Sequence, residues 1–176
     1  YLVPGQEFKK LQQEIKELQA LNKNLKISLG FPLLNDVNDV RLFTQGLFVQ
    51  AKDIPKDMLP RDMLPKDLLP ADQAIVYVGH GSNDPDAEEI YNLLQQELQS
   101  CSKKFFFTTL LSPPSINATI KLLQQANYSA VHLVPLMTNP GKKSLSEITG
   151  QQTSLCAKLM DLGINCTTHL RGLIEN

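Results

Sequence analysis

The chain has 176 residues, 42% of them hydrophobic and 20% charged, with a formal net charge of -1 at neutral pH. That length suits one α/β domain, or one domain plus part of another, and the composition excludes a disordered or fibrous chain. A balanced charge offers no overall attraction for nucleic acid or a membrane surface, and no run approaches the roughly 18 apolar residues of a spanning helix.

Phe8, Leu11, Ile15, Leu18, Leu21 and Leu25 recur at steps of three and four, which predicts a helix over 8–25 with one apolar stripe. Lys26 to Phe31 alternates and then meets Pro32, predicting a strand that ends in a loop; Asn35 to Asp39 supplies caps for a helix through Phe48. From Pro55 a five-residue repeat follows, Pro-Lys-Asp-Met-Leu, Pro-Arg-Asp-Met-Leu and Pro-Lys-Asp-Leu-Leu. Proline at that period suits neither a helix nor a central strand, so residues 51–72 are expected to form a linker. Its Met-Leu and Leu-Leu pairs leave a protein-interaction module as one alternative.

Beyond the linker the pattern becomes regular. Ala74 to Val78 predicts a strand, Gly79-His80-Gly81-Ser82 a turn, and Asp84 caps a helix with Pro85 at its first position and Asp86, Glu88 and Glu89 in its first turn. Phe105 to Leu111, Val131 to Met137 and Asn165 to Leu170 predict three more strands, with helices over Ser115 to Ala126 and Ser154 to Leu162 between them. Such alternation predicts right-handed crossovers and a parallel sheet with helices on both faces. Ligands of such sheets bind beyond the carboxyl ends of the strands, where Gly79 to Ser82, Leu111 to Ser115 and Met137 to Lys143 fall.

On that edge His80 stands between two glycines, with a helix N-terminus behind it. A neutral imidazole there can take a proton or bind a divalent metal, while the helix N–H groups attract carboxylates. The bland alternative is that Gly79 and Gly81 only serve a tight turn. His132, inside a strand, reads as structural; His169, near a strand end, stays open. Lys142 and Lys143 follow Pro140-Gly141 and could neutralise ligand carboxylates, or form a solvated pair on a loop. Cys101, Cys156 and Cys166 are odd in number and lack metal-knuckle spacing, so they read as buried small hydrophobes. Gly79-His80-Gly81-Ser82 matches neither a nucleophile elbow nor a phosphate loop, which argues against a hydrolase and against a nucleotide cofactor.

Three stretches, taken in order and spacing, resemble the anaerobic sirohydrochlorin cobaltochelatases, the CbiK-type class II tetrapyrrole chelatases. They are Val78-Gly79-His80-Gly81, Val131-His132-Leu133-Val134-Pro135-Leu136-Met137 with Gly141 four residues on, and Leu170-Arg171-Gly172-Leu173-Ile174-Glu175-Asn176. Phe8 to Leu21, then Leu29-Gly30-Phe31-Pro32-Leu33-Leu34 and Asn38-Asp39, is similar to that family's stretch before its histidine motif.

The resemblance implies two similar α/β domains across a cleft, with residues 1–50 as the later part of the first and 73–176 as the second. Both ends are expected to be cut, with a missing segment or a second copy covering exposed apolar surface. It implies a lyase of chelatase type that inserts Co2+ into sirohydrochlorin in cobalamin biosynthesis, in the cytoplasm by default. The family's cobalt ligands map to His80, to Leu111 in place of a glutamate, and to Lys143 in place of a second histidine, with Lys142 replacing a preceding acid. Glu147 and His169 are the candidate substitutes as ligands. Gly79, Gly81, Ser82, Lys142 and Lys143 are the expected tetrapyrrole contacts, and His80 the expected base for the inner N–H protons. A degenerate relative that binds a tetrapyrrole or metal without turnover is the other alternative.

Overall fold

The computed structural model describes residues 1–53, 69–169 and 173. Almost all of the proline-repeat segment therefore lies outside the described residues, and with it the interaction-module reading; so do residues 170–172 and 174–176.

Two helices come first, α1 (Gln6–Leu21) and α2 (Val37–Asp53). There follow β1 (Gln73–Gly79), α3 (Pro85–Cys101), β2 (Phe105–Thr109), α4 (Ile116–Gln125), β3 (Ala130–Pro135), α5 (Lys142–Thr149), α6 (Leu155–Asp161) and β4 (Asn165–Thr168). The four strands form one parallel sheet in the order β2-β1-β3-β4. Successive strand residues face opposite ways, and here both directions are apolar because both faces are covered. Ile75, Tyr77, Phe105, Phe107 and Val134 pack with Leu34, Val40 and the α3 residues Ile90, Tyr91, Leu94 and Leu98. Ala74, Val76, Val78, Phe106, Val131 and Leu133 pack on the other face with Ile120, Leu123, Ile148, Leu155 and Leu159. This is the α/β architecture with helices on both faces that the alternation predicts.

Three helix starts sit where their capping residues lie in the sequence. The side chains of Asp84, Ser115 and Ser154 accept from the backbone N–H of Asp86, Ala118 and Ala157, at 3.0, 3.3 and 3.1 Å. No described helix is long and apolar enough to cross a membrane.

Several expectations fail. Residues 26–31 form no strand: an alternating pattern needs a neighbour to pair with, and the nearby backbone bonds run only from Leu33 and Leu34 to Tyr1 and Leu2, at 3.2 and 2.8 Å. The first helix stops at Leu21, four residues short. Residues 142–149, for which no helix is predicted, are the helix α5; it buries only Ser144 and Ile148, too sparse an apolar pattern to announce itself. The cysteines are half-buried rather than buried, all three as free thiols, since Cys101 ends α3 and Cys166 lies on an edge strand.

Candidate functional site

At the carboxyl edge of the sheet lies a cleft of about 530 Å3, lined among others by His80, Gly81, Ser82, Leu111, Met137 and Gly141. His80 is exposed at its wall. The two glycines beside it answer to internal packing. A Cβ at Gly79 would lie 2.7 Å from the Phe107 ring, and Gly79 is buried and does not line the cleft, so its smallness serves the core rather than a ligand. Gly81 has φ +90°, and a Cβ there would meet Thr109 Oγ1 at 2.9 Å and the backbone nitrogens of Leu111 and Ser112 at 3.0 Å.

Neighbouring loops lock this turn. Ser82 N–H donates to Ser112 Oγ at 3.1 Å, and Ser82 Oγ accepts from Asp84 N–H at 3.1 Å. Ser112 N–H in turn donates to Thr109 Oγ1 at 3.0 Å. The imidazole Nδ1 of His80 lies 3.3 Å from the Gly81 carbonyl oxygen. A carbonyl oxygen only accepts, so this contact favours the tautomer protonated at Nδ1 and leaves the Nε2 lone pair for a proton or a metal ion.

The start of α3 is not an open anion site. Asp84 caps it, and Lys9 from α1 reaches Asp84 Oδ1 at 2.7 Å and Asp86 Oδ2 at 2.6 Å. The hydrogen bond from Lys9 holds the Asp84 carboxyl below its ordinary range, and the two carboxylates raise Lys9.

Of the other expected contacts, Lys142 and Lys143 are exposed on the first turn of α5, and neither lines the cleft, although Gly141 and Ser144 on either side of them do. Glu147 faces Lys143 at 3.9 Å along the same helix. His169 is half-buried, its backbone N–H bonded to the Leu133 carbonyl at 2.9 Å. Neither Glu147 nor His169 lines the cleft, so the structure does not bring the two candidate substitutes to His80. Leu111, by contrast, does line it, 53% exposed. Among the described residues no group of three His, Cys, Asp or Glu side chains could hold a metal ion. His132 is occupied as a strand-interior histidine should be: Nε2 lies 2.9 Å from Gln73 Oε1 and Nδ1 lies 2.6 Å from Thr167 Oγ1.

Two cleft residues escape sequence reasoning. Glu7, in the first turn of α1, lines the same cleft as His80. Tyr91 lines it from α3; burial pushes its phenol up to about 12, so it stays protonated. Nothing in the local pattern says that the start of α1 reaches this edge, and Tyr91 looks like one more core aromatic.

A family model described as cobalt chelatase (CbiK) matches residues 1–176. The sirohydrochlorin cobaltochelatase CbiKC of Nitratidesulfovibrio vulgaris is 24% identical over 176 residues, covering 99% of this chain and 57% of its own length. A sirohydrochlorin cobaltochelatase of Salmonella typhimurium is 26% identical over 177 residues, covering 100% of this chain and 60% of its own length. The chain thus spans less than two thirds of either relative.

Proposed function

The chain belongs to the cobalt chelatase (CbiK) family, and from that premise we propose that it supplies the histidine-bearing wall of a site where Co2+ is inserted into sirohydrochlorin. The observation that carries this reading is His80, exposed on an open cleft with Nε2 unengaged and with Glu7 lining the same space. Insertion of a divalent ion into a tetrapyrrole displaces two inner N–H protons, while the ion exchanges its water for four ring nitrogens. Two bases are therefore useful. In this reading His80 Nε2 receives one proton, the Glu7 carboxylate the other, and either can hold the incoming ion as it loses water. Tyr1, Phe8, Leu111 and Met137 supply apolar contact for a flat ring, and a cleft of about 530 Å3 lies within the range of small-molecule sites. Exposed Lys142 and Lys143, between the lining residues Gly141 and Ser144, would meet the ring's carboxylates at the rim.

One test is cobalt insertion into sirohydrochlorin, followed by absorbance. The expected outcome is turnover above the protein-free blank, lost in His80→Ala and reduced in Glu7→Gln. A wild-type rate equal to the blank would remove the enzyme from this proposal.

A second reading is favoured by Leu111: an apolar side chain on the cleft where the resemblance expects a glutamate, with no three-residue metal cluster among the described residues. An ion held by a single imidazole and one carboxylate is held weakly, which suits a protein that binds a tetrapyrrole without metallating it. Saturable spectral shifts on titration with sirohydrochlorin, without turnover, would select this reading.

A further inference from the structure

Ser144 is 7% exposed and lines the cleft, yet its hydroxyl has no hydrogen-bond partner among the described residues. Buried hydroxyls elsewhere, those of Thr44, Ser102, Thr108, Thr119 and Ser154, all bond to backbone. Because a buried hydroxyl is ordinarily paired, an unpaired one on the wall of a cleft points to a ligand. Ser144 also stands in the first turn of α5, and that helix begins unlike its neighbours. Asp84, Ser115 and Ser154 close the starts of α3, α4 and α6 with their own side chains. At α5 the capping residue is Gly141, no side chain bonds the free N–H groups, and the first turn holds no acid. The first backbone bond runs from Leu145 N–H to the Gly141 carbonyl at 3.0 Å, so the N–H groups of Lys142, Lys143 and Ser144 stay unpaired among the described residues. A Cβ on Gly141, which lines the cleft, would meet nothing within 4 Å, so the space before the helix is open.

We propose that the start of α5 is a carboxylate-binding subsite of this cleft, in which the free N–H groups of the first turn and the Ser144 hydroxyl receive one carboxylate of the ligand. A carboxylate only accepts hydrogen bonds, and this helix start offers it donors together with the positive end of the helix dipole. Lys142 and Lys143 act at longer range: their side chains are exposed outside the cleft, and Lys143 meets Glu147 only at 3.9 Å. The other helix starts at the cleft are unsuited to the role. Glu7 puts a negative charge in the first turn of α1, and Asp84 already occupies the start of α3 with Asp86 beside it. A ligand with acidic groups is therefore oriented, its carboxylate toward α5 and away from Glu7. That the ligand is a tetrapyrrole rests on the function proposed above; that the subsite takes a carboxylate does not.

The test is a titration with succinate at constant ionic strength, read by the amide nitrogen and proton shifts of Lys142, Lys143 and Ser144. Saturable shifts at these three amides are expected, with none at Asp86 in the closed start of α3 and none anywhere with succinamide, which has the same shape without the charge. Ser144→Ala should bind succinate about tenfold more weakly, as for a lost hydrogen bond to a charged group. It should unfold at the same urea concentration or a higher one, because that hydroxyl gives up no bond within the protein, whereas a purely structural serine would lower it. Gly141→Asn places a neutral cap on the same N–H groups without changing the net charge, and should abolish the shifts. Absent shifts in the wild type, equal shifts with succinamide, or shifts that persist in Gly141→Asn would overturn the proposal. Should Ser144→Ala not fold, Gly141→Asn decides alone. Sirohydrochlorin is then added to the succinate-bound protein. Displacement of succinate assigns the carboxylate to the ring; succinate that binds and is never displaced leaves a subsite for a free carboxylate and counts against the function proposed above. Sirohydrochlorin that binds while the three amides ignore both ligands overturns the subsite and spares that function.

Discussion

Helices α1 and α3 have 16 and 17 residues and the same three-and-four spacing of apolar side chains, yet they are used in opposite ways. In α3 the stripe is consumed: Ala87, Ile90, Tyr91, Leu94 and Leu98 are all buried against the sheet. In α1 only Phe8 is buried, and toward its end Leu18 is 50% and Leu21 86% exposed. Periodicity announces that a helix has an apolar face; it does not say what covers that face. The stripe of α3 meets β1 and β2 because short connections fold it back onto them. Of the α1 stripe only Phe8, in the first turn, is fully buried, and that turn is what brings Glu7 to the cleft.

The contrast can be broken most sharply by paired truncations. Leu94→Ala should cost about 2–5 kcal/mol, the usual range for a fully buried leucine, while Leu18→Ala should cost under about 1 kcal/mol because little contact is lost. Urea unfolding of both variants checks this, and equal costs would mean that the α1 stripe is covered in solution.

The glycines divide in the same way, with a smaller expected effect. Gly81→Ala forces a side chain into positive φ and against backbone nitrogens at 3.0 Å that have nowhere to move, and should cost about 1–3 kcal/mol. Gly30→Ala, in the segment after α1, meets nothing within 4 Å and should be neutral to about 0.5 kcal/mol. Thermal unfolding distinguishes them; a neutral Gly81→Ala would mean that the turn beside His80 is looser than its contacts imply.

How far the sequence is legible follows the same division. The strands can be read because Ala74 to Val78 and Phe105 to Thr109 are unbroken apolar runs between breakers, as a sheet covered on both faces requires. Asp84, Ser115 and Ser154 mark helix starts because capping is local chemistry. His80 is conspicuous for its two glycines, although the structure gives those glycines an internal purpose. The misses are of another kind. Lys26 to Phe31 has a strand's pattern, but pairing depends on a neighbour that no local pattern reveals. Short α5 carries too few apolar positions to be seen. Glu7 and Tyr91 become cleft residues only when α1 and α3 are placed in space, and Glu147 and His169 drop out for the same reason.

The smallest expected effect concerns how α1 is tied down. Lys9 spans to Asp84 and Asp86, and its hydrogen bond keeps the Asp84 carboxyl below its ordinary 3.8, while the two carboxylates keep Lys9 above its ordinary 10.5. A carboxylate with a depressed value adds stability above 3.8 that is lost as the pH falls through its folded value. An ammonium with a raised value adds stability below 10.5 that is lost as the pH climbs through its folded value. The strap should thus be constant across the neutral range and weaken at both extremes, and only modestly, because water screens the exposed Lys9 end. Hydrogen exchange over residues 6–21 at acidic pH should rise before that of α3, and Lys9→Met should remove this dependence by opening α1 at every pH. If wild type and Lys9→Met exchange alike throughout, the ion pair does not hold the helix. Because Glu7 sits in the turn that Lys9 anchors, the same variant should also weaken the tetrapyrrole binding proposed above at neutral pH.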